Sequence, residues 1–136
     1  MVFLKKLTLA LFVSVAMLAA APSAMAKPAG KIENATPAQT VIAIAETIEL
    51  AEQALKEVKS NELEKADMMA LFKSVKQRAK TIESTTTYML REKALGKLGK
   101  ARLAYKKGKE QSEVVEKMEK AFAVFKQIKV RFDEFN

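Results

Sequence analysis

Lys93, Lys97, Lys100, Arg102, Lys106 and Lys107 fall within fifteen residues, and together with Arg91 they face one acid, Glu92. At about 100° per residue, Lys93, Lys97, Lys100 and Lys107 share one band of a helix. Opposite that band lies an apolar stripe of Leu90, Ala94, Leu98, Ala101 and Tyr105. Cations held in one band attract phosphate and carboxylate groups with little selectivity. Beside an anionic membrane each base contributes about 1 kcal/mol, less as salt rises. Bases near a helix C-terminus also complement its dipole, which accounts for Lys106 and Lys107, and long lysine stems cover apolar edges of any solvated helix. Neither effect explains why acids are so scarce along the whole segment. The expectation is a low-specificity anion-binding face carried by these six residues.

Other chemistries fall away on composition. The chain has no histidine and no cysteine. Serine or cysteine triads, thiolate zinc sites, iron–sulfur clusters and a di-iron centre of the Glu-x-x-His type are therefore excluded. Glu46, Glu49, Glu52 and Glu57 crowd one segment, but on the wheel they lie away from its apolar face and read as solvated carboxylates. No loop has calcium spacing. Met68, Met69, Met89 and Met118 lack the close repeats of copper-handling tracts and read as packing residues. Gly96-Lys97-Leu98-Gly99 matches the GxxG of an RNA-clamping loop, but that module needs a sheet and none is expected. Catalytic, metal and cofactor residues are accordingly not assigned, nor is a nucleic-acid partner.

The elements that position the basic band are helices. After Pro37 no proline occurs, and glycine appears only at 96, 99 and 108 in a chain rich in Ala, Leu, Glu and Lys. Four helices are expected, over 37–58, 61–82, 86–107 and 110–135. The first opens with Thr36-Pro37-Ala38-Gln39, a capping box with proline at the first helical position. Its stripe is Val41, Ile44, Ala45, Ile48, Ala51 and Leu55. Asn61 caps the second, whose stripe is Met68, Leu71, Phe72, Val75, Ala79 and Ile82. The third stops at Gly108, in the left-handed region. The fourth shows Val114, Met118, Ala121, Phe122, Phe125, Ile128, Phe132 and Phe135. Near-equal lengths and short links predict an all-α, up-down-up-down antiparallel four-helix bundle spanning 36–136. The alternative joins helices two and three through Ser84-Thr85-Thr86-Thr87 into one rod of about 46 residues, near 70 Å long, whose faces need a second chain. A monomer is the expected state.

Lys5 and Lys6, an apolar run from Leu7 to Ala21 and the small-residue site Ala24-Met25-Ala26 form the three parts of a secretory signal peptide, residues 1–26. The run is shorter than the roughly 20 residues that cross a bilayer. The expectation is a mature chain without a membrane anchor, periplasmic or secreted, with a flexible lead-in over 27–35. Loss of the leader removes two of the 24 bases and none of the 16 acids, leaving a net charge of +6.

The joint ARLAYKKGKEQSEVVEK, Ala101 to Lys117, and the final KVRFDEFN resemble the soluble periplasmic b-type cytochromes, which are exported four-helix bundles of this size. In that family a methionine early in the first helix and a histidine near the chain end clasp haem. Here the first helix has no methionine, and Phe132 stands about where the histidine would be. The resemblance thus implies the fold and not the electron transfer. The functional expectation is a non-enzymatic protein that binds anionic lipid, lipopolysaccharide or an acidic protein. The alternative is a carrier of an apolar or cofactor ligand in a core lined by Phe122, Phe125, Met118 and Met68.

Overall fold

The computed structural model describes residues 35–136. The expected leader, 1–26, and all but the last residue of the lead-in lie outside the described residues. Within them are four helices and no strand: α1 Pro37–Ser60, α2 Lys65–Ala79, α3 Tyr88–Lys106 and α4 Gln111–Phe135.

The start of α1 is written locally. Thr36 Oγ1 accepts from Gln39 N at 3.2 Å, and Gln39 Oε1 accepts from Thr36 N at 2.9 Å, so two orphan donors are satisfied reciprocally. The buried face of α1 is turned from the expected one. Val41 and Ala45 are exposed, whereas Thr40, Ala43, Thr47, Leu50, Ala54 and Val58 join Ile44, Ala51 and Leu55 inside. The two threonines are tolerated there because their hydroxyls find acceptors. Thr47 Oγ1 donates to Ala43 O at 2.7 Å, and Thr40 Oγ1 lies 3.2 Å from both Thr36 O and Glu83 O.

Asn61 does not start α2. It ends α1, at φ 52°, with its N–H donating to Glu57 O. Asparagine is one of the few residues that enter the left-handed region at little cost, so it serves as readily after a helix as before one. α2 begins only at Lys65, behind Glu64, which makes no side-chain cap bond. Gly108, at φ 73°, closes α3 as its position suggested.

α2 and α3 are separate helices. Lys80–Thr87 turns the chain between them, with tight bonds from Thr81 N to Arg78 O and Ile82 N to Ala79 O. Ile82 is buried under the turn. The Arg91 guanidinium folds back on it, its Nη1 donating to Ile82 O at 3.0 Å and to Lys80 O at 3.4 Å. These bonds take up carbonyls that a continuing helix would otherwise have satisfied.

α1 packs on α2 and α4, and α3 packs on α2 and α4, while the backbones of the diagonal pairs, α1 with α3 and α2 with α4, do not come close. One core runs through the centre, with Phe72, Phe125, Met68, Leu71, Met118 and Ile128 fully buried. Two members of the expected fourth stripe leave it. Phe122 lies at the margin of the core, and Phe135, the final residue of α4, is exposed. Leu90 and Tyr105 are likewise only half buried. α3 contributes Ala94, Leu98, Ala101 and Ala104 to the interior. Three alanines in that face let its backbone approach α4 closely, and the α3–α4 contact is the most extensive in the molecule.

Gly96 and Gly99 sit on the outer side of α3, and a Cβ placed at either meets nothing within 4 Å. They give up helix stability without a packing reason. Changing both to alanine is expected to raise stability by about 1 kcal/mol each, on the order of 10 °C in melting temperature together. A thermal melt followed by circular dichroism measures this; no rise would show that the two positions contact something outside the chain.

Candidate anion-binding face

The six bases singled out above lie on α3 and its C-cap. Lys93, Lys100, Arg102, Lys106 and Lys107 are exposed, and Lys97 is partly so. Arg91 is set apart. Its guanidinium is mostly covered, bonds the turn before α3, reaches Glu92 at 3.1 Å and lies over the Tyr88 ring at 5.0 Å. It holds the start of the helix and is not an open cation.

Ion pairing differs sharply between the helices. In α1 Lys56 meets Glu52 at 3.3 Å; in α4 Lys120 meets Glu116 at 3.0 Å and Lys129 meets Asp133 at 2.7 Å. Between helices Arg78 reaches Glu46 at 3.0 Å and Lys59 reaches Glu119 at 3.8 Å. Such exposed pairs add little stability, but they neutralise the surface locally. The hydrogen bond from Lys120 holds the Glu116 carboxyl below its ordinary value. Among the described residues no carboxylate pairs with Lys93, Lys97, Lys100, Arg102, Lys106 or Lys107. Their charge is left for solvent or a ligand.

The neighbouring helix is basic as well. α2 lies beside α3 and carries Lys73 and Lys76, both exposed, with Lys80 just after its last turn. Sequence reading did not include these three in the site, because spacing relates side chains within one helix and says nothing of which helices lie side by side. Glu62 and Glu64 fall in the α1–α2 connection, leaving Asp67 as the only acid of α2. α2 and α3 are thus adjacent helices that both carry an excess of bases. The two helices are joined across their inner edge by Phe72 and Tyr105, whose rings lie 5.8 Å apart and tilted at 53°. Burial pushes the Tyr105 phenol up, so it stays neutral well above physiological pH.

At the end where α3 finishes, a half-open cavity of about 260 Å³ is bounded by Val58, Asn61, Lys65, Tyr105, Gly108, Lys109, Gln111 and Val114. Two of its walls are already engaged. Lys65 Nζ donates to Lys106 O at 3.0 Å, and Gln111 Nε2 donates to Lys59 O at 2.6 Å. Small-molecule sites usually measure about 300–1,000 Å³. The cavity lies just below that range. Among the residues expected to line a ligand-bearing core, Phe125, Met118 and Met68 are buried members of the continuous core, and Phe122 packs against it with Lys126 Nζ 4.7 Å over its ring.

Among the described residues, no group of three or more potential ligating side chains could hold a metal ion, and no helix is long and apolar enough to cross a membrane. No protein-family model, curated protein or solved structure matches the chain.

Proposed function

We propose that this is an exported, non-enzymatic interaction protein whose α2–α3 side binds anionic components of the cell envelope. Lipid headgroups and lipopolysaccharide phosphates are the first class of ligand, and an acidic protein is the second. The observation that carries this reading is the contrast in pairing: carboxylates answer both bases of α1 and two of the five of α4, and none answers the six of α3. Cleavage after Ala26, a periplasmic or secreted location and a monomeric state complete the proposal.

The bundle is read as up-down-up-down. Supporting this, Thr40 bonds Glu83 O and Arg91 bonds Ile82 O, which brings together the start of α1, the end of α2 and the start of α3. Lys65 bonds Lys106 O and Gln111 bonds Val58 O, which gathers the opposite ends with the start of α4. Kinship with the b-type cytochromes is proposed for the fold alone. Phe132 is buried among apolar neighbours and offers hydrocarbon where that family offers an imidazole.

Charge reversal tests the site. Lys93, Lys97 and Lys100 changed to Glu should weaken binding to phosphatidylglycerol vesicles far more than Lys117, Lys120 and Lys126 changed to Glu. Equal losses would mean that net charge alone, with no localised face, drives binding.

A further inference from the structure

Seven large apolar side chains stand exposed among the described residues, and six of them, Val41, Ile42, Tyr88, Met89, Val130 and Phe135, belong to one end of the bundle. Val41 and Ile42 open α1, and Tyr88 and Met89 open α3; the Thr40 and Arg91 bonds to the turn after α2 hold these two starts together. α4 starts beside the end of α1, where Gln111 bonds Val58 O and Lys59 meets Glu119. At 1.5 Å per residue its 25 residues match the 24 of α1, so Val130 and Phe135 come back to the level of Val41. Each of the six is half or more exposed, Met89 reaching 78%. The seventh, Leu103, lies near the other end. Single exposed apolar residues are ordinary, but their concentration at one pole is not.

We propose that this pole is a peripheral membrane contact, in which the apolar tips enter the headgroup–acyl boundary of a bilayer. Three observations favour a bilayer over a second protein. One of the tips is a ring with an exposed guanidinium over it: Arg131 lies 5.6 Å from the Phe135 centroid. Paired cation and ring suit an interface where one part of the pair meets phosphate and the other meets hydrocarbon. Secondly, the tips come from three helices and alternate with exposed charges of both signs, Glu92, Lys129, Arg131, Asp133 and Glu134, of which Lys129 and Asp133 pair with each other. A headgroup layer accepts such alternation anywhere, whereas a partner surface must match each charge in place. Thirdly, α1 begins here, so the 34 residues that precede Ala35, with the apolar run Leu7–Ala21, join the bundle at this pole. Until the proposed cleavage after Ala26 releases the chain, a leader inserted for export keeps this end the one nearest the lipid.

The proposal rests on the anion-binding reading only for the bases that draw the molecule to the surface; the inserted residues are different ones. The chain has no tryptophan, so a single one reports its own surroundings. Phe135→Trp and Leu103→Trp, both at exposed positions, are mixed with vesicles of phosphatidylglycerol and phosphatidylcholine, with and without lipid brominated on the acyl chain. Tryptophan at 135 is expected to shift to the blue and be quenched by the brominated lipid, and tryptophan at 103 to do neither. Ile42→Ser with Met89→Ser should weaken vesicle binding about tenfold or more while leaving the melt unchanged. Sedimentation with vesicles without quenching at 135 overturns this proposal and leaves the anion-binding face standing. Quenching at 135 that survives reversal of Lys93, Lys97 and Lys100 upholds it and removes the α3 reading. Self-association in lipid-free buffer that the Ile42 and Met89 changes abolish would make a second copy the occupant and overturn it as well.

Discussion

Changing Phe125 to alanine is expected to destabilise the protein by about 3–5 kcal/mol, whereas the same change at Phe135 should cost less than about 0.5 kcal/mol. The two phenylalanines share one apolar stripe in the sequence, at positions that a helical wheel treats alike. In the fold Phe125 is fully enclosed and Phe135 is 61% exposed. Truncating the first removes buried area and leaves a cavity that its neighbours fill only in part. Small domains are stable by about 5–15 kcal/mol, so this one change removes a large share. A urea melt of both variants measures it. Comparable losses would mean that the last turn of α4 is packed against something that the fold described here does not provide.

The second large effect is on binding. If each base near an anionic surface contributes about 1 kcal/mol, removing the charge of Lys93, Lys97 and Lys100 weakens binding to phosphatidylglycerol vesicles about a hundredfold. Reversal to glutamate adds repulsion to that. The α4 control carries the same change in net charge but alters a surface where Lys120 already answers Glu116, and its loss should be several-fold smaller. The difference should shrink as salt is raised from about 0.05 M to 0.5 M, because the screening length falls from roughly 14 Å to about 4 Å over that range. Binding measured by sedimentation at both salt concentrations gives the comparison. A difference insensitive to salt would place the contribution of α3 in shape or apolar contact.

What the sequence made legible was local chemistry. The capping box of Thr36 and Gln39 needs only three neighbouring residues, and Gly108 needs only its freedom at positive φ, so both could be read directly. The basic band of α3 was legible for the same reason, since spacing alone sets which side chains share a helix face.

Features decided by tertiary contacts were not. Thr40 and Thr47 are polar, so hydropathy pushed the expected face of α1 toward Val41 and Ala45; back-bonding to carbonyls is what lets the threonines go inside. Asn61 satisfies the chemistry of either helix end, and only the folded turn selects one. Lys73 and Lys76 lie on a different helix from the basic band, and only the packing of α2 beside α3 makes them its neighbours. The apolar pole was hidden because its members are spread over three helices, some ninety positions apart in the chain.

The central claim is that anion binding is localised to one side of the bundle. Its most direct measurement is amide chemical-shift mapping as a short-chain phosphatidylglycerol is titrated in below its micelle concentration. The account expects the perturbations to concentrate between residues 93 and 107, with a second group at 73–80, and α1 to stay quiet. Shifts spread evenly over all four helices, or strongest on α1 and the first half of α4, would contradict it.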